Sequence, residues 1–122
     1  MKLLRCGNKN NEKPAALDKN GNIRDLSSHV SDFNPENINF ETLSKLQKID
    51  LGTLPEVSNS TRIGPCISQP GKFIGIGLNY SDHAAETGAK PPSEPIVFMK
   101  ATSCIIGPND DVIIHKNSKK TD

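Results

Sequence analysis

His83 and Glu86 stand three residues apart in Ser81-Asp82-His83-Ala84-Ala85-Glu86, so on a helix their side chains share one face. A carboxylate beside an imidazole fixes its tautomer and stabilises the imidazolium, which is what a general base acting on water requires. Taken alone, such a pair on a short polar helix is more often a surface pair than a catalytic one. Lys100 closes the apolar run Ile96-Val97-Phe98-Met99. An ammonium so placed either snorkels outward or offers a cation to an anionic substrate, and snorkelling is the commoner use. Thr102 and Ser103 add hydroxyl donors beside it or simply satisfy a turn. His29 and His115 have no evident partner and read as structural. Magnesium or manganese needs several hard oxygen ligands, and the second half of the chain offers no clustered carboxylates. Asp110 and Asp111 read as solvated turn residues.

These groups need elements to carry them. Residues 72–78, rich in isoleucine and glycine, read as a strand, so a helix over 81–87 begins at a strand's carboxyl end. Ser81 is its expected N-cap and Gly88 its left-handed stop. Gly75 and Gly77 allow close backbone approach or mark bulges. They form no dinucleotide fingerprint, because the third glycine and a proper following helix are missing. A loop with Pro91, Pro92 and Pro95 leads to a strand over 96–100, and further strands are expected over 104–106 and 112–115. Pro108 suits the first central position of a type I turn. Upstream, residues 2–6 read as an edge strand. Segments 13–17 and 22–26 flank an Asn20-Gly21 step suited to a tight hairpin. Phe40, Leu43, Leu46 and Ile49 mark one face of a short helix, capped by Asn39 and ended by Gly52. Residues 62–67 read as another strand. The polar break Ser58-Asn59-Ser60-Thr61 divides a first domain, 1–60, from a second, 61–122. The fold class is α+β and β-rich, with short helices.

The bulk properties narrow the function. Over 122 residues the apolar share is 34% and the mean hydropathy −0.51, low for a self-sufficient core. Fifteen basic against fourteen acidic residues leave a net charge of +1, so no field points to a nucleic acid or a membrane partner. The basic run over 116–120 is short and lacks interleaved aromatics, and reads as a solvated end. Three widely spaced cysteines are neither a disulfide framework nor a thiolate zinc site and suit a reducing, cytoplasmic setting. Arg5 ends the apolar run at the start after two leucines, and no stretch approaches a membrane span.

The run GKFIGIGLNYSDHAAETGAKPPSEPIVFMKATSCIIGPND resembles the start of the catalytic domain of fumarylacetoacetate-hydrolase-family proteins. It is nearest the bacterial branch often labelled ureidoglycolate lyase or 2-hydroxyhepta-2,4-diene-1,7-dioate isomerase. GLNY-x-DHA-x-E and the F-x-K strand after a proline loop carry the likeness over about a third of the chain. Residues 1–60, with KLLRxG and IRDLSSHV, resemble the small N-terminal domain of that branch. The resemblance implies a mixed, rolled β-sheet domain, usually a homodimer, with Mg2+ or Mn2+ chelating a small 2-oxo or enol acid. It casts His83 and Glu86 as a proton-transfer dyad on a lid-like helix and Lys100 as the stabiliser of a developing oxyanion. Asn79 falls where some relatives carry an acidic metal ligand, and its amide does not serve that role; Asn79, Tyr80 and Ser103 become substrate-binding candidates. In the family a Glu-x-Glu pair and a further Asp follow the Lys-Thr-Asp triplet and bind the metal. This sequence ends on that triplet, so the expectation is a fragment without its own metal site and inactive alone. The whole protein is expected to perform carbon–carbon hydrolysis, lyase cleavage or keto–enol isomerisation. The alternative is a non-catalytic remnant or interaction module.

Overall fold

The computed structural model describes residues 1–120; the Thr121-Asp122 end of the family likeness lies outside them. The elements in chain order are β1 (Lys2–Cys6), β2 (Lys13–Leu17), β3 (Ile23–Asp25), α1 (Phe40–Leu46), β4 (Glu56–Val57), β5 (Phe73–Gly77), α2 (Ser81–Glu86) and β6 (Ile96–Lys100). Short 3-10 turns occupy Leu51–Thr53 and Thr102–Cys104. The chain forms two compact units, one of residues 1–68 with 106 onward and one of residues 69–105. Both sheets are antiparallel, β1-β2-β3-β4 in the first unit and β5-β6 in the second. This strand-rich mixture with short helices is in keeping with the α+β class.

Period-two alternation explains the core of the first unit. Leu3 pairs with Ala16 and Leu4 with Ala15, so odd positions of β1 face one way and even positions the other. On one face Ala16 packs with Leu26, Val30, Phe33 and Leu46, flanked by Leu3, Ile49, Leu51 and Leu54. On the other, Leu4, Cys6, Ala15 and Ile23 pack with Leu17, Val57 and Ile63. The β2–β3 hairpin forms where expected, but through a wider loop than a two-residue turn. Asp18 N–H donates to the Asn22 carbonyl at 3.0 Å, and the Asp18 carboxylate accepts from the backbone N–H groups of Asn20 and Asn22. Of the Asn20-Gly21 step, Gly21 alone takes a positive φ, +85°.

Helix α1 is capped by Asn39, whose side chain accepts from Thr42 N–H at 2.9 Å. The expected four-residue face is only partly used: Leu46 is buried and Ile49 packs on the core, while Phe40 is 91% exposed. The helix ends at Leu46, well before Gly52, which sits instead in the following 3-10 turn under the Asp50 carboxylate. Three expected strands are absent. Over 62–67 the pairing shrinks to a single bridge, Cys6 to Ile63, because Pro65 has no N–H with which to extend a ladder. Residues 102–104 wind into a 3-10 turn. Residues 112–115 have strand-forming side chains, but form no ladder among the described residues, and a strand needs a partner for its backbone groups.

An ionic ladder that the sequence pattern does not announce ties the first unit together. Arg5 donates Nε to Asp32 Oδ1 at 2.6 Å and Nη2 to Oδ2 at 3.0 Å, the bidentate geometry that suits a guanidinium. Arg62 grips Asp110 in the same way, at 2.7 and 2.6 Å. Glu12 stands between the arginines, 2.7 Å from Arg62 Nη1 and 3.6 Å from Arg5 Nη2, with its side chain 5% exposed. Burial would raise the Glu12 carboxyl, but the Arg62 hydrogen bond and the Arg5 charge outweigh it and hold the group below its usual range. Asp110 is drawn down to about 2 by Arg62 and by the Gly107 N–H. It is therefore a clamped ion-pair partner and not the solvated turn residue expected.

Candidate active site

The second unit positions the chemistry-bearing residues. In the β5–β6 ribbon Phe73 lies opposite Lys100, Ile74 opposite Met99, Gly75 opposite Phe98, Ile76 opposite Val97 and Gly77 opposite Ile96. The Phe98 ring covers Gly75 so closely that a Cβ there would collide with it. After β5 the chain turns sharply at Leu78, which adopts φ +49°, a left-handed conformation that a bulky residue rarely takes. Asn79 and Tyr80 follow, and α2 begins at Ser81. Tyr80, not Ser81, occupies the N-cap position, with no side-chain cap hydrogen bond; Asp82 instead accepts from His83 N–H at 2.9 Å. At the other end Gly88 takes φ +67°. Ala89 N–H donates to the Ala84 carbonyl and Gly88 N–H to that of Ala85, a Schellman stop at the expected glycine. Ala84 is the one residue of α2 that is buried, which leaves the opposite face of this helix to solvent.

His83 and Glu86 lie on that exposed helix, with Nδ1 and Oε2 4.0 Å apart and the side chains 58% and 78% exposed. This is ion-pair range and longer than a hydrogen bond. Lys100 is exposed at the end of β6. Its Nζ stands 5.5 Å from the Phe73 ring centroid and 5.9 Å from that of Phe98, a cation–π arrangement of modest strength at an open site. Asn79 lines a cleft of about 430 Å3 with Ile76, Leu78, Ser81 and Glu94. His83, Glu86, Lys100, Tyr80 and Ser103 stand outside its wall. Glu94 and Ser93 enter the cleft from the proline loop; nothing in their spacing marks them in the sequence, since the loop's fold brings them to Asn79. Among the described residues no three His, Cys, Asp or Glu side chains converge to hold a metal ion, so the donor set here does not fit the divalent ion that the resemblance implies. Cys66 and Cys104 are exposed and unpaired, and burial, with Asp25 nearby, pushes the Cys6 thiol above its ordinary value. No helix among the described residues is long and apolar enough to cross a membrane.

Comparison with known proteins bears on the same residues. Residues 72–122 match the family model described as fumarylacetoacetate (FAA) hydrolase C-terminal. Over all 122 residues the chain is 57% identical to a protein of Burkholderia ambifaria named "Putative hydrolase". It is 57% identical to a like-named protein of Burkholderia cenocepacia and 56% to one of Burkholderia lata. In each case all of this chain is matched, and it spans 43% of the relative. Residues 72–122 are thus similar to the C-terminal fumarylacetoacetate hydrolase model, and the chain spans less than half the length of the curated relatives it matches.

Proposed function

We propose that this chain is the N-terminal part of a metal-dependent fumarylacetoacetate-hydrolase-family enzyme acting on small 2-oxo or 1,3-dicarbonyl acids, in the branch that includes ureidoglycolate lyases and dienedioate isomerases. The observation that carries the reading is the position of His83 and Glu86. They share one open face of α2, directly after β5, inside the segment that matches the family model. Closing their 4.0 Å separation to hydrogen-bond distance places Nδ1–H on the carboxylate and leaves Nε2 to take a proton from water or from a carbon beside a carbonyl. Lys100 supplies a cation for the oxyanion that develops, while Asn79, Tyr80 and Ser103 help seat the substrate. The Mg2+ or Mn2+ would be held by carboxylates in the part of the protein that corresponds to the unmatched length of the relatives. The active protein would be a homodimer.

The experiment is a chimera in which these 122 residues replace the matched part of the Burkholderia ambifaria relative. Acylpyruvates, the enol of oxaloacetate and ureidoglycolate form the substrate panel, each with and without Mg2+ or Mn2+. Turnover of one of them that requires the ion is the expected result, and the substrate chosen separates hydrolysis, lyase cleavage and isomerisation. A folded chimera without metal-dependent turnover on any of them would leave the non-catalytic alternative standing.

A further inference from the structure

The face of the first sheet that turns away from Phe33 carries a small cleft, and the strand register explains it. Residues two apart on a strand share a face, as do residues directly opposed across an antiparallel pair. Cys6 lies opposite Lys13 and Ala15 opposite Asp25, so these four meet in one patch, with Val57 beside them. The short Ala15 side chain leaves a hollow of about 310 Å3, at the small end of the range for ligand pockets. Asn8, Asn11 and Thr61 complete its lining. Gly7 N–H donates to the Arg62 carbonyl at 2.9 Å, and Arg62 Nη1 donates to the Gly7 carbonyl at 3.2 Å, which ties the two chain segments at the mouth together. The charges here are arranged unlike the rest of the unit. The ladder residues and the Asp18–Arg24 pair stand within 3.6 Å of a partner. Lys13 and Asp25 sit diagonally across the register, a spacing of about 7–8 Å between Cα atoms, and form no such pair. Asp25 accepts from Ser27 N–H at 2.7 Å. Burial would raise its carboxyl, but Ser27 and the Lys13 charge hold it below its usual range, so it is ionised at neutral pH. Among the described residues the side chains of Asn8, Asn11, Lys13 and Thr61 meet no hydrogen-bond or ion-pair partner.

We propose that this cleft binds a small zwitterion of the α-amino-acid type with a short apolar side chain, its carboxylate on Lys13 and its ammonium on Asp25. A simple anion would set like charge against Asp25, and a simple cation would do the same against Lys13. A molecule that carries both charges on one carbon matches both residues and bridges the gap between them. Its carboxylate also accepts from the amides of Asn8 and Asn11, and its ammonium donates to the Thr61 hydroxyl. The side chain lies against Cys6, Ala15 and Val57, and the small hollow sets its upper size near that of leucine or methionine. The Cys6 thiol, kept neutral by burial, serves there as an apolar surface. None of the residues assigned to proton transfer takes part, so this site goes beyond the proposed chemistry and does not depend on it.

The test titrates L-valine, L-leucine and L-methionine into the 122-residue chain, followed by calorimetry and by amide NMR spectra. At least one is expected to bind with a Kd below about 1 mM, shifting the amides of Cys6, Ala15 and Asp25. Isovalerate, which is valine without its ammonium, and isobutylamine, which is valine without its carboxylate, are each expected to bind at least about tenfold more weakly. Lys13 is exposed on β2 and makes no short contact within the protein, so Lys13→Met keeps the fold. It is expected to weaken amino-acid binding by about tenfold or more. Asp25→Asn is expected to weaken the amino acid similarly and to leave isovalerate no weaker than before. Absence of saturable binding up to about 10 mM overturns the proposal. So does either single-charge analogue binding as tightly as valine, undiminished affinity in the Lys13→Met variant, or shifts confined to amides away from the cleft.

Discussion

Glu12 is the anionic rung between Arg5 and Arg62, and Glu12→Gln removes its charge while keeping its shape. The substitution loses a charge-assisted contact of 2.7 Å to Arg62 and a longer one of 3.6 Å to Arg5. Breaking a fully buried ion pair costs about 3–5 kcal/mol, and a hydrogen bond to a charged group contributes about 1.5–3 kcal/mol. Each arginine keeps its bidentate aspartate, Asp32 or Asp110, and the glutamine oxygen still accepts. The expected loss is therefore about 2 kcal/mol. Urea denaturation followed by circular dichroism should show a lower midpoint with an unchanged slope. Repeating the measurement in 1 M NaCl tests whether the ladder is enclosed, since exposed pairs are screened there and enclosed ones much less. A loss below about 0.5 kcal/mol, or one that vanishes in salt, would refute the view that the ladder organises this unit.

Other outcomes follow from the same geometry. Phe33→Ala, at a fully buried core position, should cost about 3–5 kcal/mol, whereas Phe40→Ala on the open side of α1 should stay within about 0.5 kcal/mol, both read by the same denaturation. A Cβ at Gly107 would collide with the Ile63 carbonyl, a backbone atom with little room to move. Gly107→Ala should therefore destabilise by at least about 1 kcal/mol and raise the exchange rate of the 107–110 turn. Asp110 and Asp18 are both held at about 2 from an ordinary 3.8. For Asp18, burial would raise the carboxyl, but the N–H of Asn22 and the Arg24 guanidinium outweigh it. With folded values below unfolded ones, their contribution is complete above about pH 4 and is lost as pH falls through about 2. A pH series at fixed urea should show stability declining across that window, and Asp110→Asn should flatten the decline.

How much of this was legible in the sequence depends on the range of the interaction that decides each feature. Local signals are legible in part: Ser81 does not cap α2 and Gly52 does not end α1, yet other short-range features stand where expected. The strands over 2–6 and 13–17, the Asn39 cap and the glycine stop of α2 at Gly88 depend on residues a few positions apart. The family likeness was legible for the same reason, since GLNYSDHAAE is contiguous. Long-range decisions were not. Arg62 meets Asp110 across 48 residues and Glu12 across 50, and no periodicity marks such pairs, so Asp110 read as a solvated turn residue. Residues 112–115 have the composition of a strand, but a ladder depends on a partner that propensity does not reveal. The placement of Lys100 beside two rings follows from β5–β6 register, with Phe73 directly opposite it. The cleft at Asn79 draws Glu94 from fifteen positions away, through a proline loop whose path the sequence does not state.

The central claim is that His83 moves a proton, with Glu86 orienting it. Its most direct test compares the chimera carrying these 122 residues with its His83→Ala and Glu86→Gln variants, on whichever acid the substrate panel identifies. The account predicts that His83→Ala lowers kcat by about 100-fold or more with KM little changed, and that Glu86→Gln gives a smaller loss. Full activity of the His83→Ala variant, or a loss expressed only in KM, would contradict it.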